Sequence, residues 1–296
     1  MLRLVVLGNS GAVPAPGRVP SCFAIKSGNT FLFDCCEGAQ RQMMKYRISY
    51  AKVNAIFFSH LHADHILGIF GLIQTMNLHD RTDELLLFGP HGIKELMGTV
   101  LSLRYLRPKF PVRIVEVTSS KRVFEDKLIR VSAFKVDHKV EALGYVIEEQ
   151  PINKFYEKKA KDLGIKGKLF REIQDNGFVK IGRKKIKLED VTYVKKGKRV
   201  VYTGDSLPCS AIERAAKDAE LLVHDSTFAD DSQSLAKKKY HSTARQAAES
   251  ARKAKVKALL LTHFSNRYAD LSVLLAEAKE VFPNVDIAEA GKEILI

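Results

Sequence analysis

Apolar positions along this chain come in short runs that switch between the two-residue period of strands and the 3.6-residue period of helices. Runs at 2–7, 21–26 and 30–33 read as strands, the last ending at Asp34, and 37–46 reads as a helix. Residues 55–58 form a four-residue apolar run bounded by polar residues, the pattern of a buried strand. Ile66, Ile69, Phe70, Ile73 and Met76 then recur at helical spacing, which predicts a helix over 65–78. A strand at 85–88, a turn at Gly89-Pro90-His91-Gly92 and a helix ending near Leu103 follow, with strands at 113–117, 128–136 and 142–148.

Residues 149–182 break this rhythm. Pro151, Gly164, Gly167, Gly177 and Gly182 are spread among lysines with no long apolar stripe, so the segment reads as an insertion. The alternation then resumes with strands at 199–203, 221–224 and 258–262 and helices at 211–218, 242–254 and 271–281. Strands alternating with helices predict a layered α/β fold, and 296 residues suffice for one large domain, 1–296, carrying the insertion 149–182.

Composition adds two constraints. No run approaches the roughly 18 apolar residues of a spanning helix, and the start of the chain lacks a signal-peptide pattern, so a cytoplasmic protein is expected. Cys22, Cys35, Cys36 and Cys209 contain no C-x-x-C spacing and fit buried thiols in a reducing compartment better than disulfides. Charge changes the picture more. The formal net charge is +14, yet 151–200 alone holds 16 basic and 6 acidic side chains. A local excess of this kind fits a polyanionic partner, whereas a diffuse one would speak only to solubility.

The chemistry concentrates in His60-Leu61-His62-Ala63-Asp64-His65, three histidines and an aspartate between a strand and a helix. Imidazole and carboxylate are the ligands of zinc-type ions, and a tight loop after a strand can turn several of them into one pocket. One loop cannot supply a whole site without crowding. Further candidates stand just past apolar strands: His138 after 128–136, Asp205 after 199–203 and His263 after 258–262. Together these describe a two-metal hydrolase. Ser242 and Thr243 open a helix whose free N–H groups would favour phosphate, and Arg267 offers a planar fork for phosphate oxygens.

With these residues in view, the chain resembles the metallo-β-lactamase superfamily and, within it, the ribonuclease Z family that matures tRNA 3′ ends. The narrower likeness covers most of the chain. It rests on the run Leu7-Gly8-Asn9-Ser10-Gly11-Ala12-Val13-Pro14, on Phe33-Asp34-Cys35-Cys36-Glu37-Gly38 and on Leu222-Val223-His224-Asp225-Ser226-Thr227-Phe228. His241-Ser242-Thr243 and Thr262-His263-Phe264-Ser265-Asn266-Arg267-Tyr268 complete it.

The resemblance implies an αβ/βα four-layer sandwich with an inserted basic arm. It implies two Zn2+ per subunit, one on His60, His62 and His138, the other on Asp64, His65 and His263, bridged by Asp205. Asp64 would also orient the attacking hydroxide, and His241 would be the general acid, positioned by Asp225 where the family has glutamate. The implied substrate is precursor tRNA, cut 3′ of the discriminator base to leave a 3′ hydroxyl and a 5′ phosphate on the trailer. A homodimer is implied, with the arm residues Lys154, Lys158, Lys159, Lys161, Lys166, Lys168 and Arg171 holding the tRNA. Two alternatives remain: a different enzyme on the same metal site, either a phosphodiesterase for small or cyclic substrates or a thioester hydrolase, and a non-catalytic RNA-binding protein with structural metal.

Overall fold

Two seven-stranded sheets lie face to face in the computed structural model, which describes residues 2–13, 15–118 and 121–296. The first runs Glu293–Leu295, Arg3–Gly8, Cys22–Ser27, Asn29–Phe33, Val53–Phe57, Leu85–Gly89, Val112–Glu116, and is parallel from Asn29–Phe33 onward. The second runs Val285–Ile287, Ala258–Thr262, Leu221–Asp225, Arg199–Tyr202, Ala142–Glu149, Ile129–Val136, Lys121–Glu125, with its first four strands parallel. The parallel strands read as near-continuous apolar runs because helices cover their outer faces.

Three apolar layers hold this arrangement. Phe31, Phe33, Phe57, Tyr145, Tyr202 and Leu260 pack between the sheets, with Phe33 and Phe57 stacked at 5.1 Å between ring centroids. Met43, Ile69, Ile73 and Met97 lie under the helices on the first sheet. Ala247, Ala248 and Ala251 of the helix Ala244–Ala254 cover the second. Helix, sheet, sheet, helix is the αβ/βα sandwich.

The helix expected over 65–78 is two helices, Ala63–Ile66 and Gly68–Leu78. The break has a local cause. Gly68 N donates to Cys35 O at 2.9 Å, and a Cβ there would stand 1.9 Å from Cys36 O, so the backbone passes too close for any side chain. Cys22, Cys35 and Cys36 are buried free thiols, and Cys209 is half-buried. Among the described residues no helix is long and apolar enough to cross a membrane. Pro14, which ends the N-terminal motif, lies outside the described residues.

Glu149–Gly197 forms a second compact unit. The insertion therefore ends at 197 and not at 182, because Thr192–Lys195 returns to pair antiparallel with Ile152–Phe155. Between them lie the helices Glu157–Asp162 and Leu169–Asn176 and the hairpin Phe178–Ile181 with Lys184–Lys187. Ala160, Ile165, Ile173, Val179, Ile186 and Val191 give the unit its own small core. Those apolar positions are scattered over all its elements, which is why no stripe is visible in the sequence.

Candidate metal centre

The candidate ligands sit just past the ends of strands from both sheets. Val53–Phe57 leads into His60 and His62, and the short helix Ala63–Ile66 carries Asp64 and His65. Ile129–Val136 leads to His138, Arg199–Tyr202 to Asp205, and Ala258–Thr262 to His263. Four sets of ligand atoms gather within 4.8 Å of one another: His60, His62 and His138; Asp64, His65 and His263; His60, His65 and Asp205; and Asp205, Asp225, His241 and His263. Asp205 stands between the first two, its oxygens 3.7 Å from His60 Nε2, 3.4 Å from His65 Nε2 and 3.1 Å from His263 Nε2.

The donor set fits divalent ions on an observation independent of any likeness. His65 Nε2, His138 Nε2 and His263 Nε2 are buried without a hydrogen-bond partner among the described residues, a costly arrangement unless another atom meets them. The opposite ring nitrogens are tied down. His65 Nδ1 lies 2.7 Å from Asp34 Oδ2, His138 Nδ1 donates to Tyr240 O at 2.9 Å, and His263 Nδ1 lies 2.9 Å from Thr227 Oγ1. Fixing one nitrogen while aiming the other inward is how outer partners orient metal-binding imidazoles.

Electrostatics agree. Burial and the crowding of neighbouring histidines push His60 well down, and burial also lowers His62 and His138, so all three are neutral at pH 7 and free to ligate. Burial works against the charges on Asp64 and Asp205, but His263 and His65 overcome it and hold both carboxyls below the usual range. His65 goes the other way: burial opposes its charge, yet Asp205 and Asp34 on either side raise it well above normal.

Beside this cluster, His241 Nδ1 lies 2.8 Å from Asp225 Oδ2. The aspartate, one methylene shorter than glutamate, still reaches. It is fixed by Ser206 N at 3.0 Å, Thr227 N at 3.0 Å and Thr227 Oγ1 at 2.6 Å. The His241 ring stacks on that of His263 at 5.0 Å. Burial alone would lower His241, but the charge and hydrogen bond of Asp225 win and push it up to about 9.

A beta-lactamase superfamily domain matches residues 29–156 and 190–264, leaving out a stretch inside the second unit. The chain is 42% identical over 292 residues to the ribonuclease Z of Methanothermobacter thermautotrophicus, covering 98% of this chain and 95% of that one. It is 40% identical over 299 residues to that of Methanosarcina mazei, covering 99% and 98%. The chain belongs to the ribonuclease Z family. Among solved structures, human tRNase Z, short form, superimposes with a TM-score of 0.72 at 25% identity over 99% of both chains. The metallo-β-lactamase fold protein YhfI of Bacillus subtilis, TM-score 0.73 at 21% identity over 99% and 98%, shares the fold.

For this ribonuclease Z family member the structure brings together all seven expected ligands and the pair of His241 with Asp225. It also places Ser242 and Thr243, with both hydroxyls engaged inside the fold. Ser242 Oγ donates to Ser206 O at 2.7 Å, and Thr243 closes a capping box with Gln246. Ala244 N is taken by Phe228 O at 2.9 Å. Both side chains are buried and their hydroxyls already have partners within the fold. Arg267 is exposed with no carboxylate partner among the described residues, its guanidinium 5.0 Å from the Phe228 ring. All seven named arm residues are exposed; Lys161 pairs with Glu157 and Arg171 with Asp175.

Three contributors escaped the sequence reading. Asp34 accepts from Ser59 N, Ser59 Oγ and Tyr202 OH as well as facing His65. Its place at the end of a strand inside a family motif was the available signal. Thr227 links Asp225 to His263. Gly11 lies under His263, where a Cβ would stand 3.1 Å from Cε1. Asp34, His263 and Tyr240 all have positive φ, of 59°, 63° and 61°, an arrangement that non-glycine residues hold only where surroundings enforce it.

Proposed function

We propose that this ribonuclease Z family member uses two divalent ions, zinc in the first instance, to remove the 3′ trailer from precursor tRNA. By family the chain is a metal-dependent endoribonuclease that hydrolyses phosphodiester bonds. The cut falls 3′ of the discriminator base and leaves a 3′ hydroxyl on the tRNA and a 5′ phosphate on the trailer.

The observation that carries the two-ion reading is Asp205, a carboxylate within 3.7 Å of histidines from both three-ligand groups. His60, His62 and His138 would hold one ion and Asp64, His65 and His263 the other. Bound there, the ions would lower the pKa of water and offset charge on the phosphate. Asp64 accepts a hydrogen bond from the attacking water and orients it. Asp225 fixes His241 through Nδ1, which leaves Nε2 as the nitrogen that gives a proton to the departing 3′ oxygen. Arg267 holds a phosphate oxygen beside it.

The basic unit Glu149–Gly197 would grip the tRNA through Lys154, Lys158, Lys159, Lys161, Lys166, Lys168 and Arg171. A cytoplasmic homodimer completes the reading. The test is incubation of the protein with a 3′-extended precursor tRNA, with and without chelator, mapping the cut to one nucleotide. A chelator-sensitive cut after the discriminator base is expected. Turnover of a small chromogenic phosphodiester with no cut in precursor tRNA would overturn the reading in favour of the small-substrate alternative.

A further inference from the structure

The helix Gln233–Lys239 ends in Lys237, Lys238 and Lys239, immediately before Tyr240 and His241. All three lysines are exposed, and none has a carboxylate within 4.0 Å among the described residues. The acids at the other end of the helix are otherwise engaged, Asp230 with Arg245 and Asp231 with Ser232.

A helix C-terminus carries roughly half a negative charge, which one lysine more than satisfies. Three consecutive exposed lysines concentrate more positive charge at this end than the helix terminus offsets. Such a cluster is stabilised when an anion arrives.

Its backbone is locked onto the metal centre. Tyr240 O accepts from His138 Nδ1 at 2.9 Å, His241 N donates to Ala236 O at 2.9 Å, and Tyr240 N donates to Lys237 O at 3.2 Å. Lys239 is two residues from His241, so their Cα atoms are at most about 7 Å apart. A flexible four-carbon stem lets its ammonium cover the ground beside His241.

We propose that Lys237, Lys238 and Lys239 form a phosphate-binding surface for the RNA strand flanking the scissile bond, separate from the basic unit Glu149–Gly197. The inference rests on the tRNA-processing reading above and names a second place where charge acts on that substrate. This surface engages the backbone of the strand being cut. It therefore serves any RNA that presents a 3′ extension, including one with no tRNA elbow.

The test uses the zinc-loaded full chain and two substrates, a full precursor tRNA and a 3′-extended acceptor minihelix that lacks the elbow. K237Q/K238Q/K239Q is compared with wild type and with K237R/K238R/K239R across a salt series. For the minihelix, the slope of log KM against log salt should fall by about 0.7 for each phosphate of the single strand that the lysines neutralise. KM should rise, kcat should hold, and the arginine variant should behave as wild type.

Unchanged KM and salt slope in the glutamine variant, with a lowered melting temperature only, would overturn the surface and leave the lysines to the helix end. A wild type that cuts precursor tRNA but whose minihelix KM ignores salt overturns the surface alone. A wild type that cuts neither RNA overturns the functional reading and the surface with it.

Discussion

Asp34 Oδ2 stands 2.7 Å from His65 Nδ1, and the same carboxylate also accepts from Ser59 N, Ser59 Oγ and Tyr202 OH. One buried acid thus ties the end of the His60 strand, a candidate ligand and a tyrosine of the opposite sheet. It holds a left-handed backbone to do so, at φ 59°. Outer partners of this kind typically govern metal affinity by about 10–100-fold. Asp34→Ala should lower zinc retention by that order, measured as metal content after dialysis against graded chelator, with circular dichroism unchanged. Full retention would remove Asp34 from the metal centre.

Asp205 faces His60, His65 and His263 at once. Asp205→Ala should cut turnover of precursor tRNA by more than the roughly 10–100-fold expected of a residue that only supports a ligand. Binding of intact tRNA should persist. Near wild-type turnover in metal-controlled buffer would sink the two-ion reading.

The pair of His241 and Asp225 gives a pH prediction for the metal-free protein. A folded value of about 9 lies above the ordinary histidine value near ~6.5. The stabilisation from this pair is therefore complete below about pH 6.5 and lost as pH rises through about 9. Asp225→Asn should bring the His241 midpoint down in an NMR titration and flatten the loss of stability across that window. An unmoved midpoint would mean that another group sets the titration.

Gly11 leaves little room beneath His263, since a Cβ would lie 3.1 Å from Cε1. Gly11→Ala should displace the imidazole by a few tenths of an ångström. Activity should fall well before the melting temperature does; parallel loss of both would point to a general packing role.

Ser242 and Thr243 supply the converse case. Their hydroxyls serve Ser206 O and the capping box with Gln246. Each alanine replacement should cost about 1 kcal/mol of stability and leave tRNA affinity in place. Denaturant unfolding and a binding titration on the same variants check this directly.

The metal loop was legible because four ligating residues crowd into six positions after an apolar strand, a density that packing does not explain. His138, Asp205 and His263 were readable only as residues just past strands, and three-dimensional closure was needed to join them. What escaped depends on non-local interactions. The helix break at Gly68 comes from the backbone of Cys35 and Cys36, and the end of the inserted unit from pairing of Thr192–Lys195 with Ile152–Phe155. The partners of the Ser242 and Thr243 hydroxyls have the same origin. A helix start looks like an anion site in sequence, and only its neighbours reveal that the Thr243, Ala244 and Gln246 N–H groups already have partners.

The ligands are shared between two sheets that have no strand in common. His60, His62, Asp64 and His65 follow the first, and His138, Asp205 and His263 follow the second. Ions held there would act as rivets through the whole sandwich. Stripping them should therefore loosen the two halves against each other, and the melting temperature of the entire fold should track the free metal concentration.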